Sequence, residues 1–260
     1  MDWAIRYDHG AVGTITLSNP ERLNAFTGEG MLALRGVLEE MAADRAVRAV
    51  LVTGAGQAFC AGGDLNTFDG EGGEPLSGEQ VAATMREMTA VVELLSDMPK
   101  LTVAAVNGPC AGAGLSLALA CDLRVSARSA VFLSSFVRVG QSGDYGQAWL
   151  LNRQVGAGWA RRLQLLSERI DAETALRIGL IEELVEDDEL QHRSLELASA
   201  AIEMAPSAVA AIKANLADAS VLPLADYLDA EGRRFVANMA GEDSKEAVAA
   251  FLEHREPRYG

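Results

Sequence analysis

Two strand–glycine–helix junctions, VLVTGAGQAFCAGGDL at 50–65 and VNGPCAGAGLSLAL at 106–119, hold residue types through which the main chain can do chemistry. Glycine and alanine let a ligand approach the backbone, and the first N–H groups of a helix have no partner inside it. Two such loops, each presenting one N–H, would clamp a single carbonyl oxygen. That is an oxyanion hole, suited to forming an enolate from a thioester, with each donor worth about 3–4 kcal/mol in the transition state. Taken singly, the same glycines read as aids to tight turns and close helix packing. Neither junction carries a phosphate fingerprint. No Gly-Lys-Ser/Thr opens either helix, and Gly54-Ala55-Gly56 and Gly112-Ala113-Gly114 run on to Phe59 and Leu117 where a third glycine is required.

In VGQSGDYGQAWLL, Ser142-Gly143-Asp144 precedes a helix, where aspartate is a favoured N-cap, and such a bond would lower the Asp144 pKa. Phe132, Phe136, Tyr145 and Trp149 are candidate apolar walls that would raise it. Ser116 has no histidine nearby in sequence to activate it and reads as a small helix residue. Cys60, Cys110 and Cys121 lack CxxC spacing and neighbouring histidines, so no zinc site is expected, and Cys60 and Cys110 read as small buried apolar residues.

These residues need strands and helices to position them. WAIRYD and AVGTITLS read as two strands, Thr27 as the cap of a helix to about Ala43, and AVRAVLVTG as a strand ending at Gly54. DGEGGEPLSGEQ reads as a mobile surface loop, and a helix follows from about Gln80 to Asp97. Leu101 to Cys121 carries no charge and is long enough to span a bilayer, but Asn107-Gly108-Pro109 divides it into a buried strand and a short helix apolar on every side. DLRVSA and AVFLS read as strands, a loop runs to about Asp144, and the chain is mostly helical thereafter, with one strand at LIEELV. Helices over 188–217 and 223–253 break at Pro206 and Pro223. The expected class is α/β with a helical C-terminal region.

Composition narrows the function. Apolar residues make up 49% and charged residues 23%, an ordinary globular balance. A formal charge of −15 argues against nucleic-acid binding, though it leaves room for one anionic small molecule. Three cysteines and an N-terminus without the features of a secretory leader lead us to expect a reducing cytoplasm.

NPERLNAFT, TGAGQAFCAGGDL, AAVNGPCAGAG with LALACDLRVSA, and the helical tail together resemble the enoyl-CoA hydratase/isomerase (crotonase) superfamily over essentially the whole chain. The motifs AGAG, SFVRVG and DYGQAWLL resemble its epoxyphenylacetyl-CoA isomerase-like branch. The resemblance implies a ββα spiral over residues 1–200 and a C-terminal helical oligomerisation region over 201–260. It also implies an acyl-CoA thioester ligand with no separate cofactor, and a homotrimer or a hexamer of paired trimers. By the same resemblance, the N–H groups of Gly63 and Ala113 would form the oxyanion hole. Arg22, Leu23, Ala25, Ala61, Asp64 and Leu65 would line the CoA site, with Arg22 a candidate phosphate partner. Hydratases of this family use two glutamates, and their positions here read Ser116 and Phe136. With Tyr145, these two are assigned to the acyl pocket. Neither exchanges protons near neutral pH. Asp144 is then the expected catalytic group, and an acyl-CoA isomerase is expected ahead of a hydratase or a non-catalytic acyl-CoA binder.

Overall fold

The runs AVLVTG and LTVAAV are apolar at nearly every position, as parallel strands covered on both faces require. In the computed structural model, which describes residues 4–64 and 77–260, they form β3 (Ala49–Gly54) and β4 (Leu101–Val106) at the centre of a six-stranded sheet. The remaining strands are β1 (Ala4–His9), β2 (Val12–Ser18), β6 (Leu123–Ala127) and β9 (Glu183–Val185), in the order β1-β2-β3-β4-β6-β9. β1 pairs antiparallel with β2, and every other pairing is parallel. LIEELV thus supplies a strand, as expected, and it lies at the edge of the sheet. A second sheet is built from pieces too short to show in the sequence: β5 (Cys110–Ala111), β7 (Val131–Leu133) and β8 (Ile170–Asp171), in the order β5-β7-β8.

Alternation along the central strands divides the core in two. Val50 and Val52 join a large cluster with Met31, Leu34 and Leu38 of α1 (Gly28–Ala43) and Leu95 of α2 (Gly78–Asp97). Ala49 and Leu51 face the other way, against Val103, Val125 and, from α6 (Leu190–Ser199), Leu190 and Ala198. Each fully buried leucine or methionine here stabilises the fold by about 1.5–3 kcal/mol. Local signals set the helix starts. The Thr27 side chain accepts from the Gly30 N–H, and Ser77 and Gln80 form a reciprocal capping box.

The uncharged run is divided as expected. β4 leads through Asn107-Gly108-Pro109 to β5 and then to α3 (Ala113–Ala120), whose eight residues are all buried. No single helix among the described residues is long and apolar enough to cross a membrane. After β7 comes a 3-10 turn at Phe136–Val139, where only loop was expected. Then follow α4 (Gln147–Leu166, interrupted at Gly156) and α5 (Ala172–Arg177). The tail forms α7 (Pro206–Ala219), α8 (Leu224–Met239) and α9 (Glu242–Glu253). Pro206 and Pro223 sit at helix starts as expected, but 223–253 is also broken at Ala240–Gly241, which no proline marks. The tail is tied to the sheet: Lys213 of α7 donates to Asp122 (2.6 Å) and to the Lys100 carbonyl (2.9 Å). The glycine-rich acidic stretch at 69–80, read as a loop, lies outside the described residues up to 76, and its end is not loop: Ser77 caps α2, which begins at Gly78 rather than at about Gln80.

α3 packs against the first glycine junction with no room to spare. A Cβ on Gly114 would lie 2.3 Å from the Cys60 carbonyl oxygen and 2.7 Å from the Cys60 Cβ. Gly114→Ala is therefore expected to destabilise the chain by about 1–3 kcal/mol, seen as a lowered urea midpoint. An unchanged midpoint would mean that α3 can be moved off Cys60 at little cost.

Candidate active site

The two glycine junctions, about fifty residues apart in sequence, meet backbone to backbone. Cys60 and Cys110 form a parallel bridge, and the Ala111 N–H donates to the Cys60 carbonyl at 2.9 Å. On its other side the first junction is pinned to the segment before α1. The Phe26 N–H donates to Gly62 O and the Asp64 N–H to Phe26 O, both at 2.9 Å, so the two bonds straddle Gly63. By the alternation of a parallel ladder, the N–H of Gly63 itself turns away from Phe26. Gly62 makes the approach possible. Its φ is +101°, a left-handed conformation, and a Cβ there would lie 3.1 Å from Ala111 O and 3.5 Å from the Ala113 nitrogen.

Neither the Gly63 nor the Ala113 N–H has a hydrogen-bond partner among the described residues. Ala113 opens α3, so its N–H is unpartnered for the reason common to all helix starts, and the helix dipole favours negative charge beside it. A fully buried Asn24, which the sequence reading did not single out, holds the first junction in shape. Its Nδ2 donates to the carbonyls of Ala55, Ala58 and Phe59, and its Oδ1 accepts from the Asn19 N–H.

Asp144 belongs to a different element, the turn before α4. The capping role open to it is excluded: α4 starts at Gln147 with Gly146 as N-cap, and no side chain caps it. Asp144 Oδ1 is instead buried with no hydrogen-bond partner among the described residues, and burial pushes the carboxyl up to about 6. Burial, and then the nearby Asp144, also push the Tyr145 phenol upward. The two neighbours of the acid anchor it to both junctions. Tyr145 packs edge-on against Phe26 (ring centroids 5.5 Å apart), whose backbone flanks Gly63. Gln147 Nε2 donates to Gly112 O at 2.6 Å, in the peptide that carries the Ala113 N–H.

The remaining expected site residues divide into three groups. Ser116, Phe136 and Tyr145 are all buried, with Ser116 Oγ accepting from Gln147 at 3.4 Å and Phe136 lying against Gly143. Arg22 and Asp64 are brought together as an ion pair, with Leu23 beside them half exposed in a left-handed turn. Ala25 and Ala61 are partly buried, and the Ala61 N–H donates to Leu23 O at 2.9 Å. Leu65 lies outside the described residues. Two suggested pocket walls are corrected. Trp149 is 54% exposed, stacked on the Arg153 guanidinium at the surface of α4, because the helix turns this position away from Leu150 and Leu151. Phe132, on β7, is sealed inside the main core.

Gln147 escaped the sequence reading although a signal was present. It lies on the helical stripe of Leu150 and Leu151, so it is a polar residue at an apolar position.

The two unpartnered N–H groups lie where the glycine junctions meet at the start of a buried helix, and the desolvated carboxylate lies in the turn whose Tyr145 and Gln147 reach those junctions. Residues 8–260 match the enoyl-CoA hydratase/isomerase family, and the chain belongs to that family. It is 36% identical over 263 residues to the 1,2-epoxyphenylacetyl-CoA isomerase of Escherichia coli K12, covering 100% of this chain and 98% of that protein. To the short-chain-enoyl-CoA hydratase of Clostridium acetobutylicum it is 32% identical, covering 95% and 93% respectively. Its fold is similar to the crystal structure of an enoyl-CoA hydratase from Polaromonas sp. JS666. There the TM-score is 0.90, with 35% identity and coverage of 98% of this chain and 99% of that one. The expected crotonase-type architecture is thereby shown.

The raised carboxyl has a consequence for stability. An acid whose folded value lies above its unfolded value adds stability below the unfolded value and loses it as pH rises through the folded one. For Asp144 that loss spans from its ordinary 3.8 to about 6. Asp144→Asn, neutral at every pH, is expected to raise Tm relative to the parent at pH 8 and to leave no gain at pH 4. An equal Tm difference at both pH values would contradict a desolvated acid at 144.

Proposed function

We propose that the chain is an acyl-CoA isomerase in which Asp144 moves a proton while the N–H groups of Gly63 and Ala113 hold the thioester oxygen. The observation that carries this reading is the Asp144 carboxyl, half-buried, with one oxygen free of any partner among the described residues and a value pushed up to about 6 by burial. At neutral pH such a group is mostly ionised and ready as a base, yet its conjugate acid is strong enough to give the proton back.

For a 3-enoyl thioester the Asp144 carboxylate takes a proton from C2. The C–H electron pair moves into the carbonyl, giving a dienolate whose oxygen accepts from Gly63 and Ala113. The carboxylic acid then returns the proton to C4, and the double bond comes to rest between C2 and C3. No atom is gained or lost, and no cofactor is needed beyond the coenzyme A carried by the substrate. The ring-opening of an epoxyacyl thioester is the alternative substrate chemistry, suggested by the name of the Escherichia coli relative.

Hydration is the second reading, favoured by the name of the Clostridium acetobutylicum relative. It would require Asp144 alone to activate water, because the positions of the family's two hydratase glutamates carry Ser116 and Phe136, both buried here.

Incubation in D2O with 3-enoyl-CoA and 2-enoyl-CoA, followed by mass spectrometry and NMR, separates the two. Isomerisation predicts deuterium entry and bond migration. Both should fall about 10²–10⁴-fold in Asp144→Asn, with kcat/KM in the parent rising with pH to a plateau above about 6. Addition of water to the 2-enoyl thioester would restore the hydratase reading, and binding without either reaction would favour a non-catalytic acyl-CoA binder.

We also propose that the chain assembles as a homotrimer or paired trimers through its tail, where Leu224, Phe235, Phe251 and Leu252 are 67–79% exposed. Light scattering should give a mass of three or six chains, and F251D with L252D should lower it. A parent mass of one chain would contradict the assembly.

A further inference from the structure

Gln147 is 1% exposed and makes its hydrogen bonds with both ends of its amide. The Gly112 carbonyl can only accept, so the atom 2.6 Å from it is the NH2 group, and this determines which way the amide points. Oε1 then accepts from the Ser134 hydroxyl at 2.6 Å and from Gln164 Nε2 at 3.3 Å. A buried amide is costly unless its partners are all in place, and leucine or methionine would fill the same volume without that demand. The carbonyl it serves belongs to the same peptide unit as the Ala113 N–H.

From this arrangement we propose that Gln147 is a positioning residue, which orients the Gly112–Ala113 peptide and strengthens its N–H as an oxyanion donor. It acts from the far side of the peptide and touches no substrate. A donor on the carbonyl draws electron density toward oxygen and leaves the N–H more positive, a cooperative effect of roughly 10–30% per bond. The same carbonyl accepts from the Leu115 and Ser116 N–H groups at 3.0 and 3.3 Å. The peptide is therefore held by α3 on one side and by α4 on the other. Because Gln147 follows Asp144 by three residues, one short segment sets both the acid and the donor. The inference rests on the oxyanion role proposed above for Ala113.

The test reads the donor directly. Butyryl-CoA labelled with 13C at the thioester carbonyl, a saturated ligand that neither isomerises nor hydrates, is bound to the full chain, and its carbonyl band is followed by infrared difference spectroscopy. In the parent the band should move to lower frequency on binding. In Gln147→Met a clear part of that shift, less than about half, should be lost, with kcat reduced about tenfold and KM changed less than about threefold, a smaller loss than deleting a donor outright. Gln147→Leu serves if the methionine variant does not fold. Ser134→Ala, which leaves the bond to Gly112 intact, should keep more of the shift than either Gln147 variant. A full shift in either Gln147 variant overturns the proposal, as does an equal loss in Ser134→Ala, which would mean general loosening. A parent band that does not move at all would instead overturn the oxyanion reading, and this proposal with it.

Discussion

The contact on which this molecule turns is the backbone-to-backbone meeting of its two glycine junctions at Cys60 and Cys110–Ala111. It is short because side chains have been removed from it: Gly62 has no Cβ to press on Ala111, and Gly114 none to strike Cys60. With the two main chains in register, the partnerless N–H at the start of α3 and the outward N–H of Gly63 come to neighbouring positions. Parallel β3 and β4 hold the junctions at the same end of the sheet, and the burial of α3 on every side keeps its N-terminus from drifting.

Conformational strain gathers around the same place. Among the described non-glycine residues with positive φ are Leu23, Asn24, Ser135 and Tyr145, which flank the first junction, β7 and the acid. Such conformations cost of order 1–3 kcal/mol each and persist where surrounding bonds over-determine them. Here the bonds are visible, in Asn24 reaching three carbonyls and Tyr145 locked against Phe26. An acid with an unsatisfied buried oxygen is a further cost of the same kind. The large apolar cluster beneath the sheet offsets both.

Family membership and reaction separate cleanly in this chain. The fold, the junctions and the buried helix are those of the enoyl-CoA hydratase/isomerase family. The reaction depends on which proton-carrying side chains the scaffold presents, and here Ser116 and Phe136 present none. In the reaction proposed for this chain, Asp144 would enter from the turn before α4, while the backbone N–H groups of Gly63 and Ala113 would hold the thioester oxygen.

Much of this was legible in the residues alone. The central strands, the capped helices and the division of the uncharged run follow from local pattern, because periodicity and caps act over a few residues. The family motifs also singled out Gly63, Ala113 and Asp144, the residues on which the proposed reaction rests. Tertiary structure alone decided the rest. Whether Asp144 caps a helix or stands desolvated depends on where α4 begins, and it begins at Gln147 because that amide is drawn into the core by Gly112 and Ser134. Trp149 faces solvent and Phe132 the core for a similar reason: composition names an apolar residue, but only packing chooses its side. The short strands β5 and β8, two residues each, exist only through their partners across the chain. Local sequence sets what a segment can become; the long-range bonds that close the site set what its carboxylate and its N–H groups can do.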